Sequence, residues 1–350
     1  MLRRILEIVG NLKRLADIYG EDESRKDIFC YGMENLAKIL EDVVRSENTH
    51  KMDNRKLKKY FASCGINVSE IAATENDDII VKASAAKKSC IRTVKFEKIV
   101  SKALDMPLVS ASQNRGVLTD NEEEYIFKKA PSYFTLFGQI GRSKYENSVS
   151  GDNFTYMQSD NYTYVALADG MGTGVRASHS SGQTLELFER FVECGFDGEI
   201  TMKMINHIFS CRNQDNPVTF DGFTFDMISG EGTFIKQGAA ASFIKTSDGV
   251  KIIRPSSLPA GVLEEASPDV SKHHFSDGEY VIMVSDGVMD ALPFFDKEGQ
   301  LAKLIETIEE HNPEMMAKRL FEEIMFYPEE YRRDDMTILV LGVWENTKNS

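Results

Sequence analysis

Apolar residues recur with a helical period through the first fifty positions. Leu2, Ile5, Val9, Leu12, Ala16 and Tyr19 follow one another at spacings of 3, 4, 3, 4 and 3, which puts them on one face of a helix. After the charged interruption EDESRKD, the residues Phe29, Met33, Leu36, Leu40 and Val43 repeat the pattern at 4, 3, 4 and 3. The spacing predicts two helices that pair with each other, or that join two copies of the chain as a homodimer. Residues 46–59 are polar and separate these helices from the next segment. That segment opens with a short helix near residues 57–64, two strand-like runs (INVSEIAA and DIIVKAS) and a helical run, TVKFEKIVSKALDM. A polar stretch then ends in DNEEE near residue 120. The pattern gives paired helices over 1–50 and a small α/β segment over 51–125.

From about residue 126 the alternation becomes that of strands separated by turns. FTLFGQIGRSK, DNFTYMQ, YTYVALAD, FTFDMI, GTFIKQG, ASFIKT, VKIIRP, EYVIMVSD and MTILVLGVW all read as strands. Two helical regions interrupt them, over 174–194 and over 298–327 with a break at Pro313. Many strands with long helices added as blocks predict an α+β fold over 126–345, with layered and mainly antiparallel sheets.

Charge narrows the choice of partners. The chain carries 55 acidic against 41 basic residues, a formal net charge of −14, which argues against nucleic acid or an anionic membrane surface. Its five cysteines are widely spaced and form no CxxC pair, so neither a disulfide framework nor a zinc site is expected. No apolar run reaches membrane-spanning length, and charges recur through the first twenty positions. A cytoplasmic chain without a membrane segment is the expectation.

Five Asp-Gly pairs begin at Asp169, Asp221, Asp248, Asp277 and Asp286. Asp-Gly is a common turn dipeptide, and Asp248-Gly249 and Asp277-Gly278 read as turns, whereas Asp221-Gly222 lies within a strand-like run. Asp169 and Asp286 differ, because each follows a nearly continuous apolar strand (YVALA and YVIMVS). A carboxylate delivered at the end of a strand buried on both faces is costly unless it is paired or bound to metal. The segment DNFTYMQSDNYTYVALAD reads as a hairpin turning at Asp160-Asn161, which sets Asp152 opposite Asp169. Asp334-Asp335 precedes a further buried strand and supplies a fourth acidic position. There is no GxSxG, HExxH or GK[ST] motif; His179 reads as a solvated or capping residue, and His273-His274 as an exposed polar turn. The loop DGMGTGVRAS imitates part of a dinucleotide fingerprint, but Asp169 would place negative charge beside a pyrophosphate. Its glycines read instead as a tight turn that lets the Gly170 carbonyl face a metal.

In their order, these motifs resemble the metal-dependent protein phosphatases (the PPM, or type 2C, family), and the wording is similar to its bacterial stage II sporulation protein E branch. The matching stretches are VSGDNF, ALADGMGTGVRA, TFDGFTFDMISGEGTFIKQGAAASFIK, SSLPAGVL, VIMVSDGVMD and RDDMTILVL. The resemblance implies an αββα sandwich of four layers, preceded by a regulatory region, with two Mn²⁺ or Mg²⁺ ions between the sheets. It implies that Asp169 bridges both ions, that the Gly170 carbonyl binds one, and that Asp286 and Asp334 complete the other. Asp335 is the second choice beside Asp334, and Asp152 binds an ion or holds its waters. The implied activity is hydrolysis of phosphoserine or phosphothreonine on a protein, with a phosphorylated anti-sigma factor antagonist as substrate. A phosphatase-like binding protein without hydrolysis is the alternative. Proteins of this branch carry a multi-span membrane region that is missing from this sequence, so the chain could be the soluble part of a membrane-anchored parent or a free-standing relative.

Overall fold

The computed structural model describes residues 36–37, 49–52, 55–74, 78–144, 149–159, 161–172, 174–194, 196–211, 217–263 and 267–346. Leu36 and Ala37 are helical; the other seam positions of the first fifty residues lie outside the described residues. The described chain divides into two compact units between Ala130 and Pro131.

The first unit is built on one antiparallel sheet in the order β1-β2-β3-β7-β5. Its strands are β1 (Thr49–Lys51), β2 (Ile66–Thr74), β3 (Ile79–Ala85), β5 (Leu108–Ser110) and β7 (Glu123–Lys129), with β4 (Ile91–Arg92) and β6 (Val117–Leu118) forming a small separate pair. Two helices, α1 (Arg55–Ser63) and α2 (Thr93–Leu104), pack on it. Phe61 and Phe96 of these helices join Val81, Tyr125 and Phe127 of the sheet in one core. Phe96 meets Tyr125 and Phe127 edge to face at 5.4 and 5.3 Å. Strand β7 was not expected from the acidic run before it. Its sequence EEYIFKK alternates, however, and that alternation buries Tyr125 and Phe127.

The second unit has four layers. One sheet runs β15-β12-β11-β10-β9 and the other β14-β13-β16-β17-β8, with every pairing antiparallel. The strands are β8 (Tyr133–Arg142), β9 (Asp152–Gln158), β10 (Tyr162–Gly170), β11 (Val218–Asp226), β12 (Glu231–Gln237), β13 (Ser242–Thr246), β14 (Gly249–Ile253), β15 (Asp269–His274), β16 (Glu279–Val284) and β17 (Met336–Glu345). The helices are α3 (Val175–Glu193), α4 (Gly198–Cys211), α5 (Asp286–Asp290), α6 (Lys297–Thr307) and α7 (Pro313–Met325).

Period-2 alternation sorts each central strand between two cores. Val165 and Leu167 of β10 join Phe223, Phe234, Met283 and Leu339 between the sheets. Ala166 and Ala168 instead pack with Leu185, Phe188 and Met202 under α3 and α4. On the other side, Ile282 and Val340 meet Leu301 and Leu320 of α6 and α7. The helical region expected over 298–327 with a break at Pro313 is two helices, and Pro313 opens the second beside the Asn312 cap, whose side chain accepts from the Glu314 and Met315 amides. Neither α4 nor β15 was expected. His273 and His274 belong to β15 rather than to a turn, and His273 is half-buried against Glu279, at 3.0 Å. Among the described residues no helix is long and apolar enough to cross a membrane.

Candidate metal centre

The β9–β10 hairpin sets two carboxylates side by side. Thr163 faces Gln158, and the register runs unbroken to Asp169 opposite Asp152, as the sequence predicted. The Ser159 N–H donates to the Tyr162 carbonyl at 2.8 Å and closes the turn; Asp160 lies outside the described residues. Because Leu167 belongs to the core between the sheets, alternation puts Asp169 on that same inner face, and its partner Asp152 with it.

The facing sheet supplies the rest. Asp152 is buried, and its Oδ2 accepts from the Thr337 hydroxyl of β17 at 2.7 Å, a bond from one sheet to the other. The Thr337 amide donates to Ser285 Oγ at 2.9 Å, and the Ser285 amide to the Thr337 carbonyl at 3.0 Å. Asp286 is exposed and opens α5 just past β16. Asp335 is buried and committed to the backbone: Oδ1 accepts from the Lys144 amide at 2.7 Å and Oδ2 from the Gly151 amide at 2.6 Å. Asp334 is half-buried, and its Oδ1 accepts only from the Asp335 amide among the hydrogen bonds seen, at 2.9 Å. Of the acidic pair before β17, Asp334 therefore keeps the freer carboxylate.

Glycine separates the functional Asp-Gly pairs from the turns. A Cβ on Gly170 would lie 2.2 Å from the Ala177 carbonyl oxygen, and one on Gly287 would lie 2.0 Å from that of Asp335. Backbone approaches that close admit only glycine. Gly249 and Gly278, by contrast, are turn glycines at φ of +131° and +77°. In the loop after Asp169, Gly172 and Gly174 also take positive φ, and His179 beyond them is exposed.

These carboxylates act on one another. Burial raises Asp169 to about 8, and repulsion from Asp152, Asp286, Asp334 and Asp335 adds to it. Burial likewise raises Asp152 to about 7, against the lowering effect of hydrogen bonds from Thr337 and Ser285. Asp286 is raised by desolvation and then by Asp334; its side chain meets solvent while dense protein surrounds its carboxyl on the inner side. Among the described residues no three His, Cys, Asp or Glu side chains close into a ready-made cage. The donor set nonetheless fits a hard divalent cation, because several mutually repelling carboxylates gathered at the ends of two sheets need positive charge.

Residues 159–344 match the family model described as stage II sporulation protein E (SpoIIE). The chain belongs to this family. It is 26% identical over 320 residues to stage II sporulation protein E of Bacillus subtilis (strain 168), covering 90% of this chain and 39% of that protein. The Priestia megaterium protein is 26% identical over 326 residues, covering 90% of this chain and 55% of that one. The chain thus spans well under two thirds of the curated relatives it matches. Among solved structures, the phosphatase domain of the B. subtilis cell fate determinant SpoIIE, in a crystal form without domain swapping, is 30% identical. That match has a TM-score of 0.52 and covers 62% of this chain and 95% of that one. The PP2C phosphatase domain of the same protein, with a fragment of its regulatory domain, matches at TM-score 0.64 and 24% identity, over 89% of this chain and 93% of that one. The four layers are accordingly a PP2C-type sandwich.

The sequence reading did not anticipate Thr337, Ser285 or the buried pair Asp221–Lys236. The first two adjoin the Asp335 and Asp286 positions already singled out. The signal for the last pair is charge on an inward strand position: Asp221 alternates with Phe223 and Phe225, and Lys236 with Phe234.

Proposed function

We propose that this chain is a divalent-metal-dependent serine/threonine protein phosphatase, with a phosphorylated protein of the anti-sigma factor antagonist type as its substrate. The observation that carries this reading is the in-register pair Asp152–Asp169 within electrostatic reach of Asp286 and Asp334 on the facing sheet. Membership of the SpoIIE family, and a 30%-identical relative solved as a phosphatase domain, support the activity. Asp169, Asp286, Asp334, Asp152 and the Gly170 carbonyl are the groups that would hold two cations, Mn²⁺ before Mg²⁺. When bound, such a pair supplies Lewis acidity and activates water for in-line displacement at phosphorus.

The chain's own residues prepare that chemistry. Thr337 fixes the Asp152 carboxylate, and Ser285 holds Thr337 by accepting from its amide. Asp335 ties the backbone at Lys144 and Gly151 to the start of β17, next to Asp334. Gly170 lets the end of β10, which delivers Asp169, approach α3, and Gly287 lets α5, which begins with Asp286, approach the backbone at Asp335. Residues 1–125 are assigned to regulation.

The test is Mn²⁺-dependent release of phosphate from a phosphoserine-bearing anti-sigma factor antagonist, comparing wild type with Asp286→Ala. Because Asp286 is exposed, the variant is expected to stay folded while activity falls by at least ~10²-fold. Equal turnover by the folded variant, or turnover that survives chelation, would overturn the reading.

A further inference from the structure

A cavity of about 40 Å³ lies between the two sheets behind the carboxylates. Asp169 and Asp286 form part of its wall, and Thr219, Asp221 and Ala239 form another part. Register explains the arrangement: Thr219 stands opposite Asp169, and Asp221 stands opposite Leu167, one inward position deeper along the sheet. Asp221 is 1% exposed and pairs with Lys236, also 1% exposed, at 2.7 Å. The ammonium group donates further to the Ala240 carbonyl and to Ser242 Oγ, both at 2.8 Å, which uses all three of its protons. The Ser242 hydroxyl donates to the same Asp221 oxygen, Oδ2.

Everything therefore converges on one oxygen. The other, Oδ1, is fully buried and has no partner among the described residues. A buried carboxylate oxygen without a donor is expensive. The cavity beside it has room for about three waters, at roughly 10–15 Å³ each, and its carboxylate walls offer the polar partners that such waters need.

We infer that Asp221 is a positioning residue of the metal centre, whose Oδ1 orders water that joins it to Asp169 and Asp286. This rests on reading those two aspartates as metal ligands. Lys236 and Ser242 hold the carboxylate through Oδ2, and Oδ1 is left without a donor in a residue that lines the cavity. A hard divalent ion keeps part of its hydration shell, so the water ordered by Asp221 fixes where that shell and its two ligands sit.

The experiment titrates the 350-residue chain with Mn²⁺ alone, reading the dissociation constant by calorimetry and the water-proton relaxation per bound Mn²⁺. Two variants are compared with wild type. Asp221→Leu/Lys236→Met removes both charges and leaves no ammonium stranded in the core. Ala239→Val keeps every charge and fills the cavity. Each is expected to weaken Mn²⁺ binding about 10- to 100-fold and to change the relaxation. Folded variants that bind Mn²⁺ with wild-type affinity and relaxation overturn the inference while leaving the metal reading intact. A wild-type chain that binds no Mn²⁺ overturns the metal reading, and this inference with it. Should the double variant fail to fold, Ala239→Val alone decides.

Discussion

The hydrogen bond from Thr337 to Asp152 is the most direct tie between the two sheets at the proposed centre, and Thr337→Val removes it without changing shape. Both residues are buried, and the Oγ1–Oδ2 distance is 2.7 Å. A hydrogen bond to a charged group is worth about 1.5–3 kcal/mol, and leaving the buried carboxylate one donor short is the main cost. A loss of about 2 kcal/mol is therefore expected. Urea unfolding followed by tryptophan fluorescence reads this cleanly. The single tryptophan, Trp344, lies on β17, stacks on Phe134 at 5.7 Å and meets Tyr280 edge-on at 5.6 Å, so it reports on the second unit. With a slope of about 3 kcal/mol per molar urea, the midpoint should fall by ~0.7 M. Mn²⁺ affinity should fall about tenfold as Asp152 loses its orientation, and Thr337→Ser, which keeps the hydroxyl, should retain that affinity. A valine variant with an unmoved midpoint and wild-type Mn²⁺ affinity would show that the bond holds neither the sheets nor the carboxylate.

Two further substitutions probe the frame around the site. Gly287→Ala should cost about 3 kcal/mol, lowering the Trp344-reported midpoint by ~1 M, because its Cβ would sit 2.0 Å from the Asp335 carbonyl oxygen. In Gly182→Ala the new Cβ meets open space on α3, so the midpoint should rise by about 0.2–0.3 M; a fall would contradict the geometry. Burial tends to raise Asp269, but hydrogen bonds from the side chains and amides of Ser256 and Ser257 outweigh it and hold the group at about 2. A folded pKa below the unfolded value means stability that is present above about pH 4 and is lost as pH falls toward 2. The gap between wild type and Asp269→Asn, about 1 kcal/mol after solvent screening, should be widest at pH 5 and should shrink on acidification. A gap constant from pH 5 to pH 3 would remove Asp269 from that account.

The elements most legible in the sequence were those whose patterning has a single solution. The turn at the β9–β10 hairpin leaves one register that keeps Val165 and Leu167 inside, and it delivers Asp152 opposite Asp169. The outer strands were harder. In β15 the sequence DVSKHH offers Val270 and histidines rather than a run of large apolar residues, and in β7 the acidic residues before Tyr125 mask the alternation. Helix α4, with its sequence GEITMKMINHIFSC, follows α3 closely, and only tertiary packing of Met202, Ile205 and Phe209 over sheet residues such as Phe220 and Ile235 identifies it as a separate element.

The site divides in the same way. Asp169 and Asp286 stood out because each ends an apolar strand, where a carboxylate needs a reason. Asp221 shares the Asp-Gly dipeptide with them but lies inside a strand, so its neighbours in sequence give no sign of Lys236. The pairing arises from β11–β12 register, which sets Asp221 directly opposite Lys236. It also depends on Ser242, which comes from β13 in the other sheet. A strand pattern shows that a charge points inward. Whether that charge is matched, and which of its oxygens is left over, is decided by residues that only the folded sheets bring together.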